Sequence, residues 1–255
     1  MNNPPSVDLL SKPPQKPHNP PKRKEVRALT IAAGFACDWG YVLCADRQMS
    51  HGTSGEIGSF ASYEEKVFQT WDDDPNQAAL CGAGNDGYLL HPFSEALFAN
   101  LAKPQGETTQ SIFESTLNAF AEKLNRPPDM QTLLADSTLG PGLLKSDGLI
   151  VSPARPIEIL GIGETSLVRY LTDTLHSRTM DLHHGVAMAA FVVCAAKKYC
   201  PQYCGGQTDI VAISIWDGTS IRFDENQIQT LEDTFMKEGE KSLFHLLDVA
   251  AATLK

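Results

Sequence analysis

The segment LTIAAGFACDWGYVLCADRQ, residues 29–48, contains two apolar stretches separated by a turn. Leu29–Cys37 is rich in small and β-compatible residues, and Tyr41–Ala45 is a short apolar run typical of a buried strand. Between them, Asp38-Trp39-Gly40 predicts a tight turn, because Asp can hydrogen-bond the backbone ahead of it and Gly accepts a positive φ. The sequence therefore predicts an antiparallel hairpin.

The register of this hairpin places a hydroxyl beside a carboxylate. If Asp38 and Trp39 form a two-residue loop, Ile31 faces Asp46 across the open end of the hairpin. Thr30 then lies diagonally next to Asp46, and such neighbours are within side-chain reach. The predicted hairpin thus brings Thr30 and Asp46 to one end of a sheet.

The segment EEKVFQ, residues 64–69, predicts a further strand that begins beside Lys66. If this strand joins the hairpin as a third strand, the amine of Lys66 meets Thr30 and Asp46. A Thr that becomes N-terminal by cleavage supplies a nucleophilic hydroxyl and its own α-amine as the base. The Lys66 ammonium would lower the pKa of that α-amine, which is ordinarily about 8, and Asp46 would hold the lysine in place.

The spacing of these residues resembles the opening of a 20S proteasome subunit, of the α/β-type family that is related to bacterial ring proteases. In β-type subunits of that family, the catalytic Thr, Asp and Lys stand at the places of Thr30, Asp46 and Lys66. The run CGAGND, residues 81–86, resembles the family's small-residue turn. The resemblance implies that the backbone N–H of Gly82 in this turn forms the oxyanion hole.

The resemblance covers residues 28–218, where the glycine motifs GIG at residues 161–163 and CGG at residues 204–206 also match the family. It implies an α+β fold, a four-layer αββα sandwich of the N-terminal-nucleophile (Ntn) hydrolase type. It further implies a threonine-type endopeptidase that needs no metal or organic cofactor. The expected partners are a peptide or unfolded-protein substrate, copies of the chain or of related chains in a ring, and an ATP-dependent unfoldase.

Four positions depart from the family pattern and keep two other functions open. Leu29 precedes Thr30, whereas self-cleavage in the family follows a Gly. Ile162, Pro201 or Cys200, and Cys204 stand where the family has residues that support the catalytic group. A noncatalytic ring-forming subunit is therefore one alternative, and a small-amide hydrolase of the same fold class is another.

Composition separates a basic tail from an acidic body. The chain has 255 residues, 42% of them apolar, and a net charge of −10, which argues against a nucleic-acid-binding protein. Residues 1–27 are Pro-rich and hold six Lys or Arg against two acidic residues. We expect a disordered or polyproline-like tail, either a propeptide or an inert extension, followed by a folded domain at residues 28–255.

Other patterns concern location, cysteines and metals. No apolar run approaches the roughly 20 residues needed to span a bilayer, so we expect no membrane association and a cytoplasmic protein. Six cysteines stand mostly in apolar segments, which favours reduced, packed thiols. Cys200 and Cys204 have no second Cys/His pair at zinc spacing, so no metal site is predicted.

Hydrophobic periodicity and the residues that typically begin or end helices and strands predict the remaining elements. The predicted helices occupy residues 109–124, 165–175, 181–199 and 240–253, and a further helix follows the CGAGND turn with Asn85 or Asp86 as its cap. The predicted strands occupy residues 77–81, 132–136, 142–145, 149–152, 208–216 and 219–223. Residues 51–62 are predicted to form a loop or a short irregular strand.

Overall fold

The computed structural model describes residues 30–51, 60–70, 76–103, 106–138, 142–161, 169, 172–173 and 180–252. The predicted tail at residues 1–27, Leu29, Ile162 and most of the predicted helix at residues 165–175 lie outside the described residues. In chain order the strands are β1 Ile31–Cys37, β2 Gly40–Asp46, β3 Gln48–His51, β4 Phe60–Tyr63, β5 Val67–Gln69, β6 Ala78–Gly84, β7 Met130–Asp136, β8 Leu144–Ser146, β9 Val151–Pro153, β10 Ile157–Gly161, β11 Thr208–Ser214 and β12 Ser220–Arg222. The α-helices are α1 Leu90–Leu101, α2 Thr109–Leu124, α3 Leu182–Tyr199 and α4 Glu225–Ala252, and a 3-10 turn at Gly87–Leu89 precedes α1.

In the described part of the chain, the strands form two five-stranded antiparallel sheets and a separate two-stranded pair. The first sheet has the spatial order β10-β1-β2-β11-β12, and the second has the order β5-β6-β7-β8-β9. The two-stranded pair consists of β3 and β4. Antiparallel sheets with the helices in separate stretches of the chain make this an α+β protein.

The predicted hairpin is confirmed, including its register. β1 pairs with β2 so that Cys37 faces Gly40 and Ala32 faces Ala45. The predicted third strand is wrong, because β10 and β11 already occupy the two outer edges of the hairpin. The strand that follows Lys66, β5, instead pairs with β6 in the second sheet.

Three hydrophobic clusters explain why β1 and β2 are apolar on both faces. Side chains of a strand alternate between its two faces, and here each face of the first sheet is covered. One cluster packs the first sheet against α3 and α4, with Phe35, Val42, Ile210, Ala189 and Val192 among its members. A second lies between the two sheets and includes Ala32, Leu43, Val211, Cys81 and Leu133, and a third packs the second sheet against α1 and α2 through Leu80, Leu134, Phe93 and Phe113.

The helix predicted at residues 109–124 is confirmed at both ends. The Thr108 side chain accepts a hydrogen bond from the N–H of Ser111, which is the geometry of an N-cap. At the other end Asn125 adopts a left-handed conformation with φ 53° and terminates the helix. The helix predicted to begin near Asp181 is α3, whose N-cap is the Asp181 carboxylate.

The loop or short irregular strand predicted at residues 51–62 is a strand in part, because His51 of β3 and most of β4 fall in this range and the two strands pair with each other. One predicted boundary is wrong because tertiary contacts override the local pattern. The C-terminal helix begins at Glu225 rather than near residue 240. Its first half is polar, but Ile228 is buried and Phe235 packs edge-on against Phe191 of α3, and these contacts hold the half-helix in place.

All six cysteines are buried and free, as predicted from their apolar surroundings. Burial is the main cause that raises the pKa of Cys37 to about 12, so this thiol stays neutral at physiological pH. None of the helices in the described part of the chain is long and apolar enough to cross a membrane.

Gly40 supports a stability prediction, because a Cβ at this position would lie 2.0 Å from the backbone oxygen of Ile213 on β11. We expect Gly40→Ala to lower the free energy of unfolding by about 1–3 kcal/mol, since β2 and β11 must move apart. Gly239→Ala in α4 is the control: a Cβ there meets nothing within 4 Å. The control should raise the free energy of unfolding by about 0.5–1 kcal/mol. Urea unfolding measures both, and equal effects of the two changes would contradict the packing argument.

Candidate active site

The carboxylate of Asp46 is the centre of a buried polar cluster. Its Oδ1 accepts the hydroxyl of Thr30 at 2.5 Å and the backbone N–H of Ile31 at 3.1 Å. The Nζ of Lys66 lies 3.2 Å from the same oxygen, and the N–H of Gly205 donates to Oδ2 at 2.9 Å. Asp46 is fully buried, with an exposed fraction of 0%. Four donors therefore satisfy a carboxylate that has no access to water.

The ammonium of Lys66 has three acceptors within this cluster. It donates to the Thr30 Oγ1, to the Asp46 carboxylate and to the backbone carbonyl of Gln48. An ammonium has three protons to donate, so the site satisfies each of them. Burial lowers the pKa of Lys66, and the neighbouring Asp46 carboxylate opposes that decrease.

The cluster forms where segments of both sheets converge. Thr30 immediately precedes β1, and Asp46 is the last residue of β2. Lys66 immediately precedes β5, so it reaches the cluster from the second sheet. The structure thus brings together Thr30, Asp46 and Lys66 as the hairpin register suggested, although Lys66 arrives by a different route.

Gly205 belongs to the CGG motif, and its role could not be read from sequence. Two backbone N–H groups of the described residues donate to Asp46. One belongs to Ile31 in the first hairpin, and the other belongs to Gly205. The preceding residue, Cys204, is buried, and burial together with the Asp46 charge raises the pKa of its thiol. Cys204 is therefore a neutral packing residue at the border of the cluster.

Gly161, the first residue of the other late glycine motif, permits a close approach to Thr30. It has φ +78°, and a Cβ there would lie 2.2 Å from the carbonyl oxygen of Thr30. The same hypothetical Cβ would also lie 3.1 Å from the Cβ of Ala83. Only glycine adopts this backbone conformation without strain at such short distances, so Gly161 lets β10 end directly beside Thr30.

Gly82 does not lie in a turn, which corrects the expected local structure. β6 continues to Gly84, and Gly82 pairs with Thr132 of β7 inside that strand. A Cβ at Gly82 would lie 2.8 Å from the backbone oxygen of Gln131 and 2.5 Å from a methyl group of Leu90. Close packing explains this glycine, and its part in an oxyanion hole stays a prediction.

The predicted helix cap after the glycines is also wrong. The Asp86 side chain makes no capping hydrogen bond to the following 3-10 turn. It instead accepts two hydrogen bonds from the Arg126 guanidinium and one from the N–H of Asp129. The hydrogen bonds from Arg126 are the main cause that lowers the pKa of Asp86, which marks it as a structural clamp.

Cofactor and metal sites were not predicted from sequence. Among the side chains that the structure describes, no group of three or more His, Cys, Asp or Glu residues is arranged to hold a metal ion. The groups that converge at Thr30 are a hydroxyl, a carboxylate, an ammonium and backbone amides. These groups can hold a proton, orient a nucleophile and stabilise charge.

No protein-family model matches this sequence, and no curated protein matches it. Solved structures of Anbu proteins are similar to it. Anbu from Hyphomicrobium sp. strain MC1 aligns with a TM-score of 0.65 and 13% identity, over 84% of this chain and 97% of that chain. Anbu from Yersinia bercovieri, described as an ancestral beta-subunit, aligns with a TM-score of 0.65 and 13% identity, over 85% and 97%. A helical assembly of the Anbu complex from Pseudomonas aeruginosa contains a chain that aligns with a TM-score of 0.62 and 12% identity, over 85% and 96%.

These structures correct the expected membership of the 20S proteasome α/β-type family. The similar structures reported above are Anbu proteins, and no family model connects the chain to 20S subunits. The physical reason is that the spacing of Thr30 and Asp46 follows from the lengths of β1 and β2, which belong to the fold and do not single out one family. Identities of 12–14% likewise reflect fold alone. The chain therefore has the fold of the Anbu proteins.

Proposed function

We propose that this protein is a self-assembling, Anbu-like subunit that hydrolyses peptide bonds with Thr30 as its nucleophile. The observation that carries the proposal is the position of the Thr30 hydroxyl, which is hydrogen-bonded to both Asp46 and Lys66 at the start of β1. Cleavage between Leu29 and Thr30 would give this residue a free α-amine. Residues 1–29, which include the Pro-rich tail, would then act as a propeptide.

The proposed reaction needs only protein groups and water. The α-amine of Thr30 accepts the hydroxyl proton while Oγ1 forms a bond to the carbonyl carbon of the substrate. The tetrahedral intermediate collapses, the C–N bond breaks, and the protonated α-amine returns its proton to the leaving amine. Water then loses a proton to the α-amine and attacks the resulting ester. The bond between the acyl carbon and Oγ1 breaks, the peptide leaves with a new carboxyl group, and the α-amine returns the proton to Oγ1. The backbone N–H of Gly82 is proposed to stabilise the oxyanion in both halves of the reaction.

Lys66 and Asp46 are proposed to set the electrostatics of this reaction. A positive charge next to Oγ1 favours the partly ionised hydroxyl and lowers the pKa of the adjacent α-amine. Asp46 is hydrogen-bonded to Lys66 and to the Ile31 N–H, so it fixes both the lysine and the start of β1. The cluster is preorganised, since each of these groups is buried.

We also propose a four-layer αββα fold. The three hydrophobic clusters fit this order, with α1 and α2 on one outer face and α3 and α4 on the other.

The similar Anbu structures support the assembly part of the proposal. The Anbu protein from Pseudomonas aeruginosa forms a helical assembly. We propose that this chain also forms an oligomer, a closed ring or a helical array, that admits unfolded chains supplied by an ATP-dependent unfoldase. Light scattering and negative-stain electron microscopy of the purified protein distinguish a monomer, a ring and a helical array.

A noncatalytic subunit is the second candidate, and the burial of Thr30 favours it. Thr30 is only 3% exposed, and its hydroxyl has two partners, which also describes a satisfied structural threonine. In that case the chain keeps the residues before Thr30, and the hydroxyl has no α-amine to accept its proton.

The state of the N-terminus separates the two candidates. Intact mass and N-terminal sequencing of protein purified from its own host should give a chain that begins at Thr30. Thr30→Ala should decrease the hydrolysis of unfolded casein by about 10³-fold or more, because the nucleophile is removed. Thr116→Ala changes another buried threonine and should leave hydrolysis unchanged. A chain that retains Leu29 and shows no hydrolysis would support the noncatalytic subunit.

The buried pair of Lys66 and Asp46 supports a stability prediction. Asp46→Asn removes the counter-charge of a lysine that is 1% exposed, and we expect the free energy of unfolding to fall by about 3–5 kcal/mol. Adding Lys66→Met should recover part of this loss, because the unpaired charge is then gone. Denaturant unfolding of the two single variants and the double variant measures the coupling, and strictly additive effects would contradict the pair.

The lowered pKa of Lys66 predicts the direction of a pH effect. Between that lowered pKa and the unfolded value of about 10.4, the unfolded chain binds more protons than the folded chain. The contribution of Lys66 to the free energy of unfolding therefore rises with pH in this window. Unfolding measured across alkaline pH should show this rise in the native chain and lack it in Lys66→Met. A parallel pH dependence in both proteins would refute the assignment.

A further inference from the structure

Arg222, the last residue of β12, makes contacts on both sides of Lys66. Its Nη1 lies 2.6 Å from the carboxylate of Glu65, and its Nη2 donates to the backbone carbonyl of Val67 at 2.5 Å. Glu65 and Val67 are the two chain neighbours of Lys66. One guanidinium on the first sheet therefore holds the segment from which Lys66 extends.

The same guanidinium is connected to the strand end that carries Asp46. Its Nη1 lies 3.4 Å from Asp209 on β11, a carboxylate that is only 4% exposed. Arg47 binds that carboxylate through two hydrogen bonds, at 2.9 Å from Nε and 2.7 Å from Nη2. Arg47 directly follows Asp46 in the chain. A continuous set of ion pairs thus runs from the end of β2, through Asp209 and Arg222, to the neighbours of Lys66.

This connection matters because Lys66 and its partners come from different sheets. β5 has three residues and pairs with β6 at one edge of the second sheet, whereas Asp46 ends β2 of the first sheet and Thr30 immediately precedes β1. On the N-terminal side of Lys66, the backbone N–H of Glu64 donates to the carbonyl of Arg47 at 2.9 Å. On the C-terminal side, Arg222 makes the polar link back to the first sheet through Val67.

We infer that Arg222 is a positioning residue that sets the distance between Lys66 and the Thr30 hydroxyl. The inference rests on the proposed function, because this distance affects a reaction only if Thr30 is the nucleophile. A planar guanidinium with several fixed donors reaches a carboxylate, a carbonyl and a second carboxylate at once, which the single ammonium of a lysine does with poorer geometry. Displacement of a catalytic group by about 1 Å can decrease a rate by ~10²-fold.

The test uses the full chain and a readout that does not depend on hydrolysis. Arg222→Gln removes the positive charge and the planar guanidinium but keeps a polar side chain that ends in an amide. Acetylation of Lys66 by acetic anhydride, followed across pH by peptide mass spectrometry, reports the accessibility and protonation of this amine. Asp46 and Asp209 from the first sheet and Cys204 from the segment before β11 also act on Lys66, and all three remain in the variant.

In Arg222→Gln we expect Lys66 to become more accessible, so that it is acetylated faster and its titration midpoint moves up toward the ordinary lysine value. Arg222→Lys should recover only part of the native behaviour. Arg155→Gln is the matched control, since it also removes a guanidinium that binds a buried carboxylate, here Glu158 on β10. This control should leave the acetylation of Lys66 unchanged.

An unchanged Lys66 profile in folded Arg222→Gln would overturn the inference, and an equal change in Arg155→Gln would overturn it as well. If Arg222→Gln does not fold, Glu65→Gln removes one arm of the contact and should shift Lys66 in the same direction by less. Peptide turnover adds a separate readout: kcat should fall by about 10- to 100-fold with little change in KM. If the native chain does not hydrolyse peptides, the proposed function is refuted, whereas the acetylation result would still decide the role of Arg222.

Discussion

The buried carboxylate of Asp46 is the constraint on which the rest of the site depends. A carboxylate without water is costly unless donors surround it, and here two backbone amides, a hydroxyl and an ammonium converge on its two oxygens. The amides belong to Ile31, which begins β1, and to Gly205, which lies shortly before β11. Satisfying one charge therefore fixes the relative positions of three strand ends. The hydroxyl of Thr30 is placed by the same requirement.

Lys66 extends this constraint across the gap between the sheets. Its ammonium must reach Asp46 from the second sheet, so the sheets must approach closely at this end. Small residues in the intersheet cluster permit that approach, among them Ala32, Ala45, Ala79 and Ala83. Gly34 contributes in the same way, since a Cβ there would lie 2.9 Å from side-chain carbons of Leu43 and Leu143. The small-residue composition of β1, β2 and β6 thus serves the geometry of the polar cluster as well as the core.

How far sequence alone could predict this protein depends on whether the signal is local. The Asp38-Trp39 turn predicted the register of β1 and β2, and the apolar periodicity of residues 109–124 predicted α2, because each is a short-range feature. The sheet that β5 joins could not be predicted, since a three-residue strand carries no information about its partner. Arg222 was missed because its contacts are distant in sequence and match no motif. The family was misassigned because the spacing of Thr30, Asp46 and Lys66 reports a fold rather than one family.

The free energy needed to desolvate the buried Lys66–Asp46 pair bears on why the chain contains this pair. A buried ion pair is often no more stabilising than well-packed apolar residues of the same volume, so stability alone is a weak reason for one here. The Lys66 ammonium also donates a hydrogen bond to the Thr30 hydroxyl, in addition to its contact with the Asp46 carboxylate. Under the proposed function, the pair supplies a positive charge next to the Thr30 hydroxyl and a carboxylate that holds it there. That function would give the chain a reason to keep the pair beyond its contribution to stability.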